Sequence, residues 1–394
     1  MKVVDLIRAG WLSNQIGPSR TLERIIENTA YFKERGYDVN VFTMDLLVKR
    51  NFTASPSNAF KIYCKSKLCN LARHNIFLTR ILIRRSVIRY AKQLIDYYLK
   101  QRRKADIVVF HDLFSCFYFL QKNDNKVKTV LFYHNNGAAF DSLLCYYPKL
   151  AKSGYLSRLL KMEQYILQRA DKLVFIADYG RRNFLNLHPA FDFRKTVYFP
   201  NGINDLPDNG SKDQNIPFKY RLCCTGTINE RKGQRLIIEA LRQLNQEILK
   251  DIHVSFVGDG FLRNELERLV VSYGLSGQVS FKGAIDNSKI DTYLKQADIF
   301  ILMSYEEGLP ISIIEAMRAG LPVISTRVGG IPELVMEKEN GFLLDPDAMQ
   351  LADLLQHLED FDWKALGYRS RQYFIQKFTF EKMMENYCNM LDSL

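Results

Sequence analysis

Glu307 and Glu315, with seven residues between them, flank a Gly308-Leu309-Pro310-Ile311 step that joins an apolar run, Ile299–Leu302, to a helical pattern. Pro310 suits the first turn of a helix and Gly320 its C-terminal stop, so the spacing predicts a helix from Pro310 to Ala319. Glu307 then stands in the loop at the mouth of that helix. Free N–H groups near Ile311 and Ser312, with the helix dipole behind them, make a seat for a phosphate group. Glu315 lies a turn or more inside, within reach of a hydroxyl pair such as a ribose edge. An isolated pair of carboxylates is more often a solvated helix end, so the surrounding residues decide. Elsewhere, His111 follows the run Ile107–Phe110 and His134 follows Thr129–Tyr133. A histidine at a strand end is more often structural than chemical.

The elements that position these residues are visible as short β-rich runs alternating with helical patterns. In the N-terminal half they are Val3–Ile7, Val39–Thr43, Ile107–Phe110, Thr129–Tyr133, Leu173–Ile176 and Val197–Phe199. In the C-terminal half they are Leu222–Thr225, Val254–Val257, Val279–Phe281, Ile299–Leu302 and Val323–Ser325. A helix is predicted from Arg20 to Arg35, stopped by Gly36. The alternation predicts an α/β chain with two doubly wound parallel sheets. Residues 200–217, rich in turn formers, read as the linker. The expected domains are 1–200, 201–375 and a C-terminal helix, 376–394, packing back on the N-terminal domain. In such sheets ligands sit beyond the carboxyl ends of the strands, which is where both glutamates fall.

The composition, 47% hydrophobic and 25% charged over 394 residues, is that of a globular chain long enough for two cores. No apolar run reaches the roughly 18 residues of a spanning helix, and the N-terminal run reads as a strand, so a cytoplasmic location is expected. Seven cysteines without a CxxC pair read as reduced thiols. Gly258-Asp259-Gly260 lacks the third glycine of a dinucleotide fingerprint and gives no ground for NAD.

Glu307-x7-Glu315, with Gly-Leu-Pro after the first glutamate and Glu-Ala-Met-x-x-Gly-x-Pro-Val from the second, resembles glycosyltransferase family four of the GT-B fold. Thr326-Arg327-Val328-Gly329-Gly330-Ile331-Pro332-Glu333, Asn340–Leu344, Val257–Gly260 and Phe281–Gly283 are similar to the same family's pattern. The resemblance implies two Rossmann-like domains facing a central cleft. It also implies retaining, metal-independent transfer of a sugar from a nucleotide diphosphate donor, by default a UDP-sugar, with no cofactor. By it Glu315 binds the ribose hydroxyls, Glu307 contacts the sugar, and Gly308, Leu309, Pro310, Ile311 and Gly283 hold the donor. Lys232, in Thr225–Gly233, resembles the basic residue that neutralises the leaving diphosphate, where charge builds up as the glycosidic bond breaks. The family has an arginine directly after the position of Gly226; here Thr227 stands there, and Arg231 is the replacement cation. His134 is similar to the histidine that faces the sugar, so the catalytic contacts fall to His134, Glu307 and Lys232. Gly17, before a helix, resembles what remains of a glycine-rich loop near the donor phosphates or the acceptor.

Charge is unevenly spread: residues 1–200 carry 34 basic and 15 acidic side chains, whereas residues 201–394 carry 21 and 28. Residues 61–104 hold 13 Lys or Arg and one acid, Asp96. Phe77, Ile81, Ile88 and Ile95 recur at helical spacing there, flanked by Arg80, Arg85 and Arg89. Such a segment either packs on its own domain with solvated basic edges or rests on an anionic membrane. Peripheral contact with the inner face of the cell membrane is the expectation, because membrane-bound acceptors are frequent in the family. No nucleic-acid-binding fold is visible. The expected acceptor is a hydroxyl of a glycan or lipid-linked molecule in cell-surface polysaccharide or glycolipid synthesis. A nucleotide-sugar epimerase and a catalytically silent nucleotide-sugar-binding protein are the alternatives, the second prompted by Thr227.

Overall fold

In the computed structural model, described for residues 1–12, 17–47, 68, 71–123, 127–206 and 217–394, the strands form two six-stranded sheets. The first contains β1 (Lys2–Ile7), β2 (Tyr37–Phe42), β3 (Ile107–Phe110), β4 (Lys128–Tyr133), β5 (Lys172–Phe175) and β6 (Thr196–Tyr198) in the order β2-β1-β3-β4-β5-β6. The second contains β7 (Tyr220–Thr225), β8 (Ile252–Val257), β9 (Val279–Gly283), β10 (Ile299–Leu302), β11 (Val323–Thr326) and β12 (Gly341–Leu344) in the order β12-β11-β10-β7-β8-β9. Every pairing is parallel. All residues of β3, β10 and β11 are buried, the reason β3 and β10 read as unbroken apolar runs rather than alternating ones. β12 is an edge strand that the apolar pattern alone did not separate from its loop.

Two units result: Met1–Phe199 with Asn386–Leu394, and Pro200–Glu385. The helix Phe380–Asp392 starts in the second and ends in the first. Its last turns are built into the first unit: the buried Tyr387 ring lies 5.6 Å from Phe32, 5.4 Å from Phe132 and 6.0 Å from Phe199. Lys172 Nζ donates to the Ser393 carbonyl at 3.3 Å, and the Tyr37 hydroxyl donates to Asp392. The linker reading at 200–217 falls mostly on 207–216, outside the described residues, as do Lys61, Lys65 and Lys67 of the basic segment.

The helix expected from Arg20 to Arg35 is two helices, Gly17–Glu27 and Thr29–Glu34. Asn28 separates them with φ −121° and ψ 29°, and its side chain donates to the Arg24 carbonyl at 2.8 Å, a local bond that competes with helix continuation. The basic segment runs as Ile76–Ile83, a π turn Arg84–Ile88 and Arg89–Lys100. It buries Thr79, Ile83, Ala91, Leu94, Ile95 and Tyr98 in its own unit and leaves Phe77, Arg80, Arg84, Arg85 and Arg89 exposed. Among the described residues no helix is long and apolar enough to cross a membrane.

Candidate active site at the carboxyl edge of the second sheet

β10 ends in Met303-Ser304, and the chain turns there into the Glu307 loop. Ser304 is fully buried; its Oγ–H donates to Glu307 Oε1 at 2.8 Å, while its carbonyl accepts from Thr326 Oγ1 at the end of β11, at 2.6 Å. The loop after β11 presses on the same backbone. Gly329 has φ +56°, and a Cβ there would lie 1.7 Å from the Glu307 carbonyl oxygen, so only glycine permits the approach. Gly330 N–H then donates to the Gly308 carbonyl at 2.9 Å. Two strand ends thus fix the position of Glu307.

The cations come from the loop after β7. Asn229 Oδ1 accepts from Lys232 N–H at 3.1 Å and caps the 3-10 turn Glu230–Lys232. Gly233 closes that turn at φ +65°, where a Cβ would stand 1.8 Å from the Met303 carbonyl oxygen. Tyr305 N–H donates to the Arg231 carbonyl at 2.8 Å, and Arg231 Nη1 donates to the Glu306 carbonyl at 2.7 Å. The result is a three-membered charge cluster: Lys232 Nζ is 2.7 Å from Glu307 Oε1, and Arg231 Nη1 is 3.0 Å from Oε2. Burial alone pushes the Glu307 carboxyl up, but the two cations and the Lys232 and Ser304 hydrogen bonds outweigh it and hold the carboxyl below its ordinary range. Two cations against one carboxylate leave a net positive charge at a helix mouth, the setting an anion requires.

The helix itself runs Ile311–Arg318, with Pro310 as its N-cap residue and no side-chain cap on its first amides. The Ser312 hydroxyl in that first turn is buried without a hydrogen-bond partner among the described residues. Glu315 lies deeper and is buried. Leu309 and Pro310 are buried, and Gly308 is half-buried. Thr227 is exposed, and its carbonyl accepts from Gln234 Nε2 at 3.1 Å. Gly283 ends β9 at φ +75°, bridged to Gly258. Sequence reading passed over Ser304, Thr326 and the Ser312 hydroxyl; only Ser312 carried a signal, its place one residue past the helix start.

His134 and Gly17 belong to the first unit. Gly17 opens the helix Gly17–Glu27. His134 follows β4, and its Nε2 is 2.9 Å from Nδ1 of His111, the histidine that sequence reasoning set aside as structural. Burial first, with Arg8 adding, lowers His134 to about 3; burial, His134 and Arg8 hold His111 well below the ordinary imidazole value.

In the second sheet β7 has β8 on one side and β10 on the other, so the winding direction reverses between β7 and β10. Lys232 and Glu307 stand on the loops that leave those two strands, at the topological switch point where doubly wound sheets bind ligands. Solved structures share this architecture over their whole length and over the whole of this chain. HepE of Anabaena in complex with UDP superposes with a TM-score of 0.68 at 17% identity, and the sucrose-phosphate synthase of Thermosynechococcus elongatus with 0.73 at 20%. Among curated proteins, the amylovoran biosynthesis glycosyltransferase AmsK of Erwinia amylovora is 34% identical over 145 residues, 35% of each chain. The N-acetyl-alpha-D-glucosaminyl L-malate synthase of Bacillus anthracis is 32% identical over 164 residues, 40% of this chain and 42% of that protein. The matched stretches thus span less than half the length of these relatives. Residues 23–205 match the family model for Glycosyltransferase Family 4, and residues 210–376 match that for Glycosyl transferases group 1. The chain, with its two parallel sheets and its Lys232–Glu307 site, belongs to the group 1, family four glycosyltransferases of the GT-B fold.

Proposed function

We propose that the protein is a retaining glycosyltransferase that works without a metal ion. It moves a hexose from a UDP-sugar to a hydroxyl of a glycan or lipid-linked acceptor in polysaccharide synthesis. The observation that carries this reading is the Arg231–Glu307–Lys232 cluster at the mouth of the Ile311–Arg318 helix. UDP is favoured because the HepE neighbour was solved with it, and polysaccharide synthesis because AmsK is named for amylovoran. The bond between the anomeric carbon and the β-phosphate oxygen breaks. Lys232, Arg231 and the helix amides take up the charge left on the diphosphate. The acceptor oxygen bonds to the anomeric carbon on the face the diphosphate leaves, and its proton passes to the departing phosphate. Glu307, kept ionised by its two neighbours, orients the sugar hydroxyls and supports positive charge at the anomeric centre, while Glu315 holds the ribose. The exposed Arg80, Arg84, Arg85 and Arg89, with Phe77 beside them, suit an anionic membrane at the cytoplasmic face.

Calorimetry with UDP, GDP and a panel of their sugars tests the donor, followed by NMR of the product's anomeric configuration. Binding of a UDP-sugar and a product with the donor's configuration are expected. Absence of heat with every nucleotide sugar, or inversion, overturns the reading.

A further inference from the structure

The first sheet has a switch point of its own. β1 has β2 on one side and β3 on the other, so the winding reverses between β1 and β3. The residue leaving β1 is Arg8, the residue leaving β3 is His111, and the residue leaving β4, the next strand, is His134. Three neighbouring strand ends therefore carry a guanidinium and two imidazoles at the place where a doubly wound sheet receives a ligand. His111 N–H donates to the Ile7 carbonyl at 3.0 Å, which sets the register of these ends. The rings are held by stacking: His111 lies 4.6 Å from Phe132 and 5.1 Å from His134.

Three polar atoms of this group are not consumed by the protein. Arg8 Nη1, His111 Nε2 and His134 Nδ1 are buried without hydrogen-bond partners among the described residues. The carboxylate whose charge acts on Arg8, Asp112, spends one oxygen on Ala9 N–H at 2.8 Å and the other on Ser115 N–H at 2.7 Å. The 2.9 Å contact between His111 Nδ1 and His134 Nε2 holds one proton. If His111 donates, His134 Nδ1 carries a hydrogen; if His134 donates, His111 Nε2 does. Either way one end of the pair presents an N–H and the other a lone pair, and the two tautomeric arrangements exchange only when the shared proton crosses and the outer proton is lost from one ring and regained on the other. A permanent cation beside an adjustable donor is the equipment for a group that is negatively charged and accepts hydrogen bonds. The excess of basic over acidic side chains in residues 1–200, 34 against 15, gives the surrounding field the same sign.

We infer that Arg8, His111 and His134 form an anion-recognition subsite in the first unit, which takes a phosphate or carboxylate group of the acceptor. The inference rests on the glycosyltransferase reading for the word acceptor; the subsite itself rests on the three strand ends.

The test uses the full chain labelled with 15N-histidine, saturated with UDP so that the phosphate seat of the second unit is occupied. Imidazole nitrogen signals of His111 and His134 are followed as inorganic phosphate, and separately acetate, is added. Both signals are expected to move with a common saturation curve. The Arg8→Gln variant should weaken that response about tenfold, and Arg8→Lys less. A stronger response to phosphate assigns a phosphate ester, and a stronger response to acetate a carboxylate. Thermal melts accompany each variant; if Arg8→Gln does not fold, the loss expected in Arg8→Lys carries the test. Signals that stay still with both anions, or variants that respond like the unmodified chain, overturn the subsite. UDP binding heat is measured on the same samples. Silent imidazoles with normal UDP heat sink this inference alone, whereas absent UDP heat sinks the donor reading.

Discussion

The Lys232 ammonium and the Glu307 carboxylate meet at 2.7 Å, one on the loop leaving β7 and the other on the loop leaving β10. Glu307 is 5% exposed, so the pair sits largely out of water and each charge depends on the other.

In the proposed mechanism, replacing Lys232 by alanine removes a charge that stabilises the leaving diphosphate, and it frees Glu307 from its main counterion. Turnover should fall about 100- to 1000-fold, as for loss of one preorganised transition-state donor. The acid limb of the pH–rate profile should also move to higher pH, because burial is then opposed only by Arg231 and the Ser304 hydrogen bond. A Lys232→Ala enzyme with normal turnover removes Lys232 from the chemistry.

Ser312 is the one hydroxyl of the helix's first turn and has nothing to bond in the described structure. Ser312→Ala should therefore leave the melting temperature unchanged or slightly raised. It should weaken UDP binding by roughly 1 kcal/mol, the worth of one hydrogen bond. Calorimetry decides, and equal affinity in both proteins refutes the contact.

Gly329→Ala should cost about 1–3 kcal/mol in denaturant unfolding, since alanine is strained at φ +56° and its Cβ would overlap the Glu307 carbonyl. The same variant should lose activity beyond its loss of stability, because the Glu307 loop must shift to make room. An alanine variant with unaltered unfolding shows that the two loops are not in contact.

Buried Glu163 accepts from the Tyr133 hydroxyl at 3.0 Å, and burial raises its carboxyl to about 7 against that hydrogen bond. His188, 3.6 Å away, is itself lowered by burial and does not offset the charge at neutrality. Unfolded, the same carboxyl ionises near its ordinary value of about 4.3. The folded state therefore holds the extra proton, and stability falls as pH rises from about 4.3 to 7. Glu163→Gln should add up to about 3 kcal/mol at pH 7.5 and nothing at pH 4; equal gains at both pH values exclude the carboxyl as the cause.

The His111–His134 pair works in the opposite direction. Both are lowered in the folded chain, whereas an unfolded imidazole protonates near 6.5. The stability they allow is complete above pH 6.5 and drains away as pH falls toward 3. Unfolding free energies between pH 7 and pH 5 should flatten in His111→Gln; an unchanged slope places the acid loss elsewhere.

What sequence made visible was the local part of the site. Glu307, Pro310 and Gly320 announce a strand-to-helix turn, and Asn229 to Gly233 announce another, because each signal lies within one turn of the chain. Ser304 and Thr326 escaped notice because their hydroxyls act across strands, and strand neighbours are set by register, which no local pattern encodes. His111 was set aside for the same reason: alone it is a strand-end histidine, and only the β3–β4 pairing gives it His134 as a partner. Arg8 carried no signal beyond following an apolar run. The break at Asn28 was hidden because the helical period continues through it, while the competing bond to the Arg24 carbonyl is a matter of one rotamer.

The nine residues Asn386–Leu394 complete a unit whose remainder ends at Phe199, with all of Pro200–Glu385 between. A ribosome therefore has to translate the entire second unit before the strap that covers Phe32, Phe132 and Phe199 emerges. Over that interval the nascent first half carries an uncovered aromatic face, the kind of surface that chaperones hold and that aggregates when they do not. Synthesis order makes the earliest half of this polypeptide the last to mature.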